Sequence, residues 1–346
     1  MWKKALPFVG MVMAECAQVG LIILSKQVMS KGMNNFIFIF YSNILAALIV
    51  LPASLLIHRS ERPALTFSTI CGFFLLALLG YMAQVFGYAG IYYGSATLST
   101  SMLNLTPGFT FVLAVVFRME ILDWRSSSSL AKSLGTVVSI AGAFIVTLYK
   151  GPALLMIPSS SNLSHQQLML QQPNWVLGGF FLAADCVMSS AFLIVQASIL
   201  KKYSAELIVV FYYFFFVAIQ SAVTCLVVER DLSAWSLEPK LRLIVILYSG
   251  VFGYALQVGL STWCLHQTGP VFVSMFKPLG IVISVVIGVV FLGDAFYVGS
   301  LVGATVIVIG FYSVMWGKAK EVDNAGRSVE PIGQKTPLLQ SSSEET

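Results

Sequence analysis

The sequence predicts an all-α membrane protein of ten transmembrane helices, arranged as two inverted five-helix repeats. Three observations lead there. Apolar residues make up 58% of the chain and charged ones 10%, against about 25% charged in an ordinary soluble domain, and mean hydropathy is +0.86. Ten apolar runs have the roughly 20-residue length that crosses a hydrocarbon core. The first half of the chain also matches the second at near-constant spacing.

The runs lie near 5–25, 36–57, 68–90, 96–117, 130–149, 174–199, 205–228, 241–265, 271–292 and 296–316. The first is too long, and too polar at its far end, for a cleavable signal peptide. If the N-terminus is cytoplasmic, the inner connections hold thirteen Lys and Arg and the outer ones six, so the positive-inside bias places both termini in the cytosol. Lys277 belongs to neither set because it lies inside the ninth run. The connections leave no room for a soluble catalytic domain. The longest, 151–173, is rich in Ser, Gln and Pro and divides a first unit, 1–150, from a second, 174–317. It carries a glycosylation sequon at Asn162-Leu163-Ser164 on the expected outer face. Residues 318–346 read as a polar, disordered cytoplasmic tail.

The repeat is visible residue by residue. Glu15-Cys16 answers Asp185-Cys186 at an offset of 170, and Lys31 answers Lys201. Gly80-Tyr81-Met82-Ala83-Gln84-Val85 reads against Gly253-Tyr254-Ala255-Leu256-Gln257-Val258, offset 173. Ser101-Met102-Leu103-Asn104 reads against Ser274-Met275-Phe276-Lys277 at the same offset. An internal duplication explains this. Five spans is an odd number, so the second unit enters from the opposite side, the inverted arrangement that secondary carriers use.

Three ionisable residues fall within spans: Glu15, Asp185 and Lys277. Glu15 is the only charge between Lys4 and Lys26. Charges at bilayer depth are costly, so they face the bundle interior or a watery cavity. Either a structural ion pair or a solute-binding, proton-relaying cavity satisfies that requirement. Gln18, on the same helix face as Glu15, and Gln84, Gln257 and Asn104 would extend a polar lining able to meet a zwitterion. Pro107 and Pro278 interrupt the fourth and ninth spans. Glu120 and Asp294, at span ends, read as boundary or gating charges, with the boundary role favoured. Tyr81, Tyr88, Tyr92, Tyr254 and Trp263 are packing residues or the wall of an aromatic path. Gly135, Gly142, Gly299, Gly303 and Gly310 read as a helix-packing face. The five cysteines, all in apolar runs, read as buried packing residues, and Ser126–Ser129 as a solvated loop.

Two such five-span units resemble the EamA-type repeats of the drug/metabolite transporter superfamily. The stretch 269–321, with "MFKP" and "VMWGKAKE", and 103–122, "LNLTPGFTFVLAVVFRMEIL", are similar to its plant nodulin-21-like, "walls-are-thin"-related (UMAMIT) branch. The resemblance covers about residues 5–321 and implies a carrier of amino acids or auxin-like organic acids in the plasma or vacuolar membrane. The chain departs from that group in "QKTPLL", which has no acidic residue four before Leu338, and in a short connection at 58–68. The expected partners are a small-molecule solute and the lipid bilayer, with protons and a homodimer left open and no nucleic acid.

An enzyme is not expected. His58, His165 and His266 make no metal spacing, no phosphate-binding loop exists, and "FLGD" at 291–294 lacks the first glycine of an intramembrane aspartyl protease. No metal or cofactor is expected. The alternatives are a carrier of phosphorylated or nucleotide sugars, disfavoured because one buried lysine is thin for a phosphate, and a non-transporting sensor or scaffold.

Overall fold

The computed structural model describes residues 2–29, 31–57, 65–93, 105–120, 126–149, 151–155, 175–229, 235–287 and 296–328. Their helices are α1 (Trp2–Met29), α2 (Asn35–Ile57), α3 (Phe67–Tyr93), α4 (Thr106–Val116), α5 (Ser127–Leu148), α6 (Trp175–Lys202), α7 (Glu206–Val228), α8 (Lys240–Thr268), α9 (Pro270–Ser274), α10 (Lys277–Ile287) and α11 (Val298–Ser328). Seven of these helices are long and apolar enough to cross a membrane. One small ribbon accompanies them: β1 (Ala153–Leu155) pairs antiparallel with β2 (Phe296–Tyr297).

Apolar side chains face outward as well as inward. Leu56 is 74% exposed and Leu226 74%, whereas Phe38, Phe73 and Phe214 are 0%. A water-soluble fold does not carry that much exposed aliphatic surface on its helices; lipid accepts it. The interior is built by α1, α2, α3, α6, α7 and α8, whose buried residues form the main core. Around it α3 packs on α6 and α7, α2 on α7, and α1 on α8, while α11 lies along α5.

Small residues set the α5–α11 contact. A Cβ on Gly310 would collide with the backbone nitrogen of Ser139 and come within 2.7 Å of the Gly135 carbonyl. One on Gly142 would sit 2.7 Å from the Ile307 nitrogen. The backbones touch because nothing stands between them, as the glycine spacing led us to expect. Gly310→Val is therefore expected to pry the helices apart at a cost of at least about 1–3 kcal/mol, read as a lowered Tm in detergent. Gly179→Ala, where a Cβ meets nothing within 4 Å, is the control.

Helix breaks occur where the backbone hydrogen bonds allow them. Pro278 is the second residue of α10 and Pro107 the second of α4, positions where a missing N–H costs nothing. The chain between α9 and α10 thus breaks at Met275–Phe276 rather than bending through a proline. Within α8, Ser249–Leu256 winds as a π-helix, a form concentrated at functional sites. At the end of α4, the Met119 nitrogen donates to the Ala114 carbonyl (2.7 Å) and that of Arg118 to Val115 (3.0 Å). Arg118 takes φ +54°. This is a Schellman cap with arginine in the left-handed position usually held by glycine, and it turns Glu120 back under the bundle.

Four sequence expectations are corrected. The serines are not a solvated loop: Ser126 precedes α5, Ser127–Ser129 form its first turn, and Ser128 is 4% exposed. Close approach to Gly317 lets Ser128 Oγ donate to the Gly317 carbonyl at 2.6 Å. The chain beyond 317 is not uniformly unstructured, since α11 runs on to Ser328. Only three of the cysteines are buried; Cys16 and Cys71 are exposed on α1 and α3, outward on helices that lie against lipid. Glu120 is not a surface charge but is 6% exposed. Asp294, Tyr92's side chain, His58, His165 and the sequon at Asn162 lie outside the described residues.

Candidate functional site

The break at Met275–Phe276 places Lys277 on the first turn of α10, facing α1. Its Nζ lies 3.3 Å from Glu15 Oε1. The two partners are unequal: the Glu15 side chain is 3% exposed and that of Lys277 33%. Gly280, one turn on, leaves the space that the carboxylate fills, because a Cβ there would sit 3.1 Å from Glu15 Oε2. Glu15 Oε1 has no aligned hydrogen-bond donor, so the contact is held by charge more than by hydrogen-bond geometry. A lysine one-third exposed at bilayer depth is costly against lipid and is suited to a polar, watery surrounding. It also stands at a helix N-terminus, where the macrodipole adds to its positive field.

Asp185, the counterpart of Glu15, is 7% exposed on α6. Its Oδ1 accepts a hydrogen bond from Ser189 Oγ at 3.0 Å, one helical turn away. Gly87 of α3 backs the other oxygen, with a Cβ position 3.0 Å from Oδ2. Asp185 makes no salt bridge with Lys277, although it lies within electrostatic reach of it.

The amides divide. Gln84 is bound from three directions: Oε1 accepts from Tyr254 Oη (3.1 Å) and Asn43 Nδ2 (3.3 Å), and Nε2 donates to Tyr213 Oη (3.2 Å). Tyr254 Oη also lies 3.4 Å from Tyr88 Oη. This cluster joins α2, α3, α7 and α8, and its satisfied bonds fix those helices relative to one another. Gln257 instead bonds along its own helix to Ser261 Oγ at 3.3 Å. Gln18 is half-buried one turn beyond Glu15. Asn104 lies outside the described residues.

A second ionic cluster was not anticipated from the sequence. Glu120 Oε2 accepts from Lys132 Nζ at 2.7 Å, and Oε1 from Lys318 Nζ at 2.6 Å. Lys132 is 1% exposed. Burial alone would push the Glu120 carboxyl up, but the ammonium groups of Lys318 and Lys132 outweigh it and hold it below the ordinary range. Part of the cluster is built by the "VMWGKAKE" stretch. Gly317 admits Ser128, Lys318 binds Glu120, and Lys320 donates to Ser127 Oγ at 2.7 Å while lying over the Trp316 ring. Beside the cluster is a cavity of about 230 Å³ lined by Glu120, Lys201, His266, Pro270 and Lys318 among others. At its edge His266 Nδ1 meets Glu206 Oε1 at 2.5 Å.

The chain resembles known proteins over nearly its whole length. The model of the EamA-like transporter family matches residues 9–148 and again 176–316. Among curated relatives, three WAT1-related proteins of Arabidopsis thaliana are 47%, 42% and 42% identical. They cover 98%, 92% and 92% of this chain and 96%, 88% and 90% of their own. A solved crystal structure superposes with a TM-score of 0.64 at 14% identity, over 91% of this chain and 98% of its own, which marks a shared fold.

Proposed function

We propose, from the premise that the chain belongs to the EamA-like transporter family and is a multi-pass membrane transporter rather than an enzyme, that it is a secondary carrier. Its solutes are small polar organic molecules, amino acids or auxin-like organic acids, and it works by alternating access of two inverted five-helix units. The observation that carries this reading is Lys277, 33% exposed at the break before α10 with Glu15 at 3.3 Å. A half-helix N-terminus bearing a lysine at bilayer depth is suited to a solute carboxylate.

Helix pairing supports the inverted units. α3 packs on α6 as α1 packs on α8; α4 meets α6 as α10 meets α1; α5 and α11 meet each other, as do α2 and α7. Exchanging the two units leaves that set of contacts unchanged. The two family matches, 9–148 and 176–316, fall on either side of the connection at 151–173. The basic residues Lys201, Lys318 and Lys320 gather with Glu120 and His266 at one end, which supports a cytoplasmic position for that end and for both termini. The plasma or vacuolar membrane is the proposed location.

The test is a solute screen with purified protein in liposomes under imposed pH and potential gradients. Saturable, protein-dependent flux of amino acids or organic acids is expected. Flux confined to phosphorylated or nucleotide sugars would replace the substrate class, and no flux of any solute would leave a sensor or scaffold.

A further inference from the structure

Two buried carboxylates share one lysine, and the structure treats them differently. Glu15 touches Lys277, so that pair is neutral with both members charged. A second carboxylate charge at Asp185 leaves the set one negative charge in excess, in a setting where uncompensated charge is expensive. The balance is restored by a cation at Asp185.

The surroundings of Asp185 decide which cation fits. Ser189 occupies Oδ1, and the backbone of Gly87 closes on Oδ2. At 7% exposure the carboxylate has no open face for a solute ammonium, whereas the Lys277 side chain is 33% exposed. Among the described residues, the elements packed on α6 bring no other cation near it. α4 and α9 contain no ionisable residue, and α3 contributes Tyr88. The last part of α8 contributes Cys264 and His266, the latter held by Glu206 at the far end. On α6 itself the neighbour is Cys186.

We propose that Asp185 is the proton-carrying group of this carrier, so that the solute crosses together with a proton, while Glu15 stays ionised as the partner of Lys277. This rests on the carrier reading above. Asp185 accepts a proton from water on one side of the membrane and returns it to water on the other. The solute carboxylate meanwhile meets Lys277. The two sites are separate, so coupling and solute binding are separable by mutation.

The experiment uses the full chain in liposomes loaded with a pH-sensitive dye, with an equimolar radiolabelled pool of the protein amino acids added outside. Wild type is expected to take up label and acidify the lumen together. Asp185→Asn, which keeps the shape and removes the titratable proton, is expected to admit label with the acidification lost. Asp185→Glu is expected to restore acidification. Glu15→Gln is expected to lower label uptake with its remaining uptake still acidifying. Ser189→Ala is expected to move the pH midpoint of uptake by roughly 0.7 unit through loss of one hydrogen bond, a readout that survives if the Asn variant does not fold. Acidification undiminished in Asp185→Asn, or lost in Glu15→Gln instead, would overturn the assignment, as would label uptake by wild type without acidification. No label uptake by wild type would remove the amino-acid carrier reading itself.

Discussion

Lys277→Ala is expected to abolish solute flux, with a loss of at least roughly thirtyfold if a desolvated charge contact is worth about 2 kcal/mol or more. The same change strands Glu15, 3% exposed, without its counter-charge, and breaking a buried pair from one side costs about 3–5 kcal/mol. Loss of flux alone therefore does not separate a binding role from a structural one. The double variant Glu15→Gln with Lys277→Met does. Replacing both members of a buried pair by neutral groups of similar size is close to neutral for stability, so its Tm in detergent is expected near wild type. Flux is expected to stay lost, because the lysine that meets the solute is still missing. Recovery of flux in the double variant would make the pair a structural tie between α1 and α10 and nothing more.

Glu120→Gln is expected to be the most destabilising change at the end of the bundle that holds Lys201 and Lys318. It leaves Lys132, 1% exposed, facing an amide where it had a carboxylate at 2.7 Å. A cost of up to about 3–5 kcal/mol follows from removing the carboxylate partner of a buried charge, visible as a Tm lowered by several degrees. The pH dependence has a defined sign. The folded-state carboxyl is held below its ordinary range by Lys318 and Lys132. Its stabilising contribution is therefore complete above the unfolded value of about 4.3 and fades as pH falls through the lower folded value. The Tm gap between wild type and Glu120→Gln should thus be constant near neutrality and close below about pH 4. A gap that closes above pH 6 would contradict the assignment. Solute flux is expected to track the loss of folded protein rather than a change in solute affinity.

The contrast between these two clusters explains what was legible. Glu15 and Lys277 stand out in sequence because each is a lone charge far inside an apolar run, and only a partner or a cavity tolerates that. Lys132 and Lys318 lie near the ends of their runs, where a lysine usually reaches water, so nothing local marks them as buried. Their burial depends on the Schellman cap after α4, which brings Glu120 back under the bundle. That cap carries Arg118 where a glycine would have announced it. The serines at 127–129 were misread for a related reason. Their hydroxyls suit a loop, and only the approach of Gly317 on α11 makes them buried.

The amides show the same limit from the other direction. Gln84 and Gln257 are equivalent in the repeat, yet Gln84 is locked by Tyr213, Tyr254 and Asn43 while Gln257 bonds along its own helix. Equivalent positions in two copies do not guarantee equivalent neighbours, since each copy packs against the other and not against itself.

By itself the sequence determined the membrane setting and the lone charges inside apolar runs, because hydropathy, repeat spacing and isolated ionisable residues are properties of a single chain read in order, and the motif stretches at 103–122 and 269–321 carried the family resemblance. The tertiary structure alone decided which carboxylate meets Lys277, which is walled in by Gly87 and Ser189, and which lysines are buried. Those outcomes rest on contacts between helices far apart in sequence, where a glycine that admits a backbone or a turn that reverses the chain settles whether a charge finds a partner.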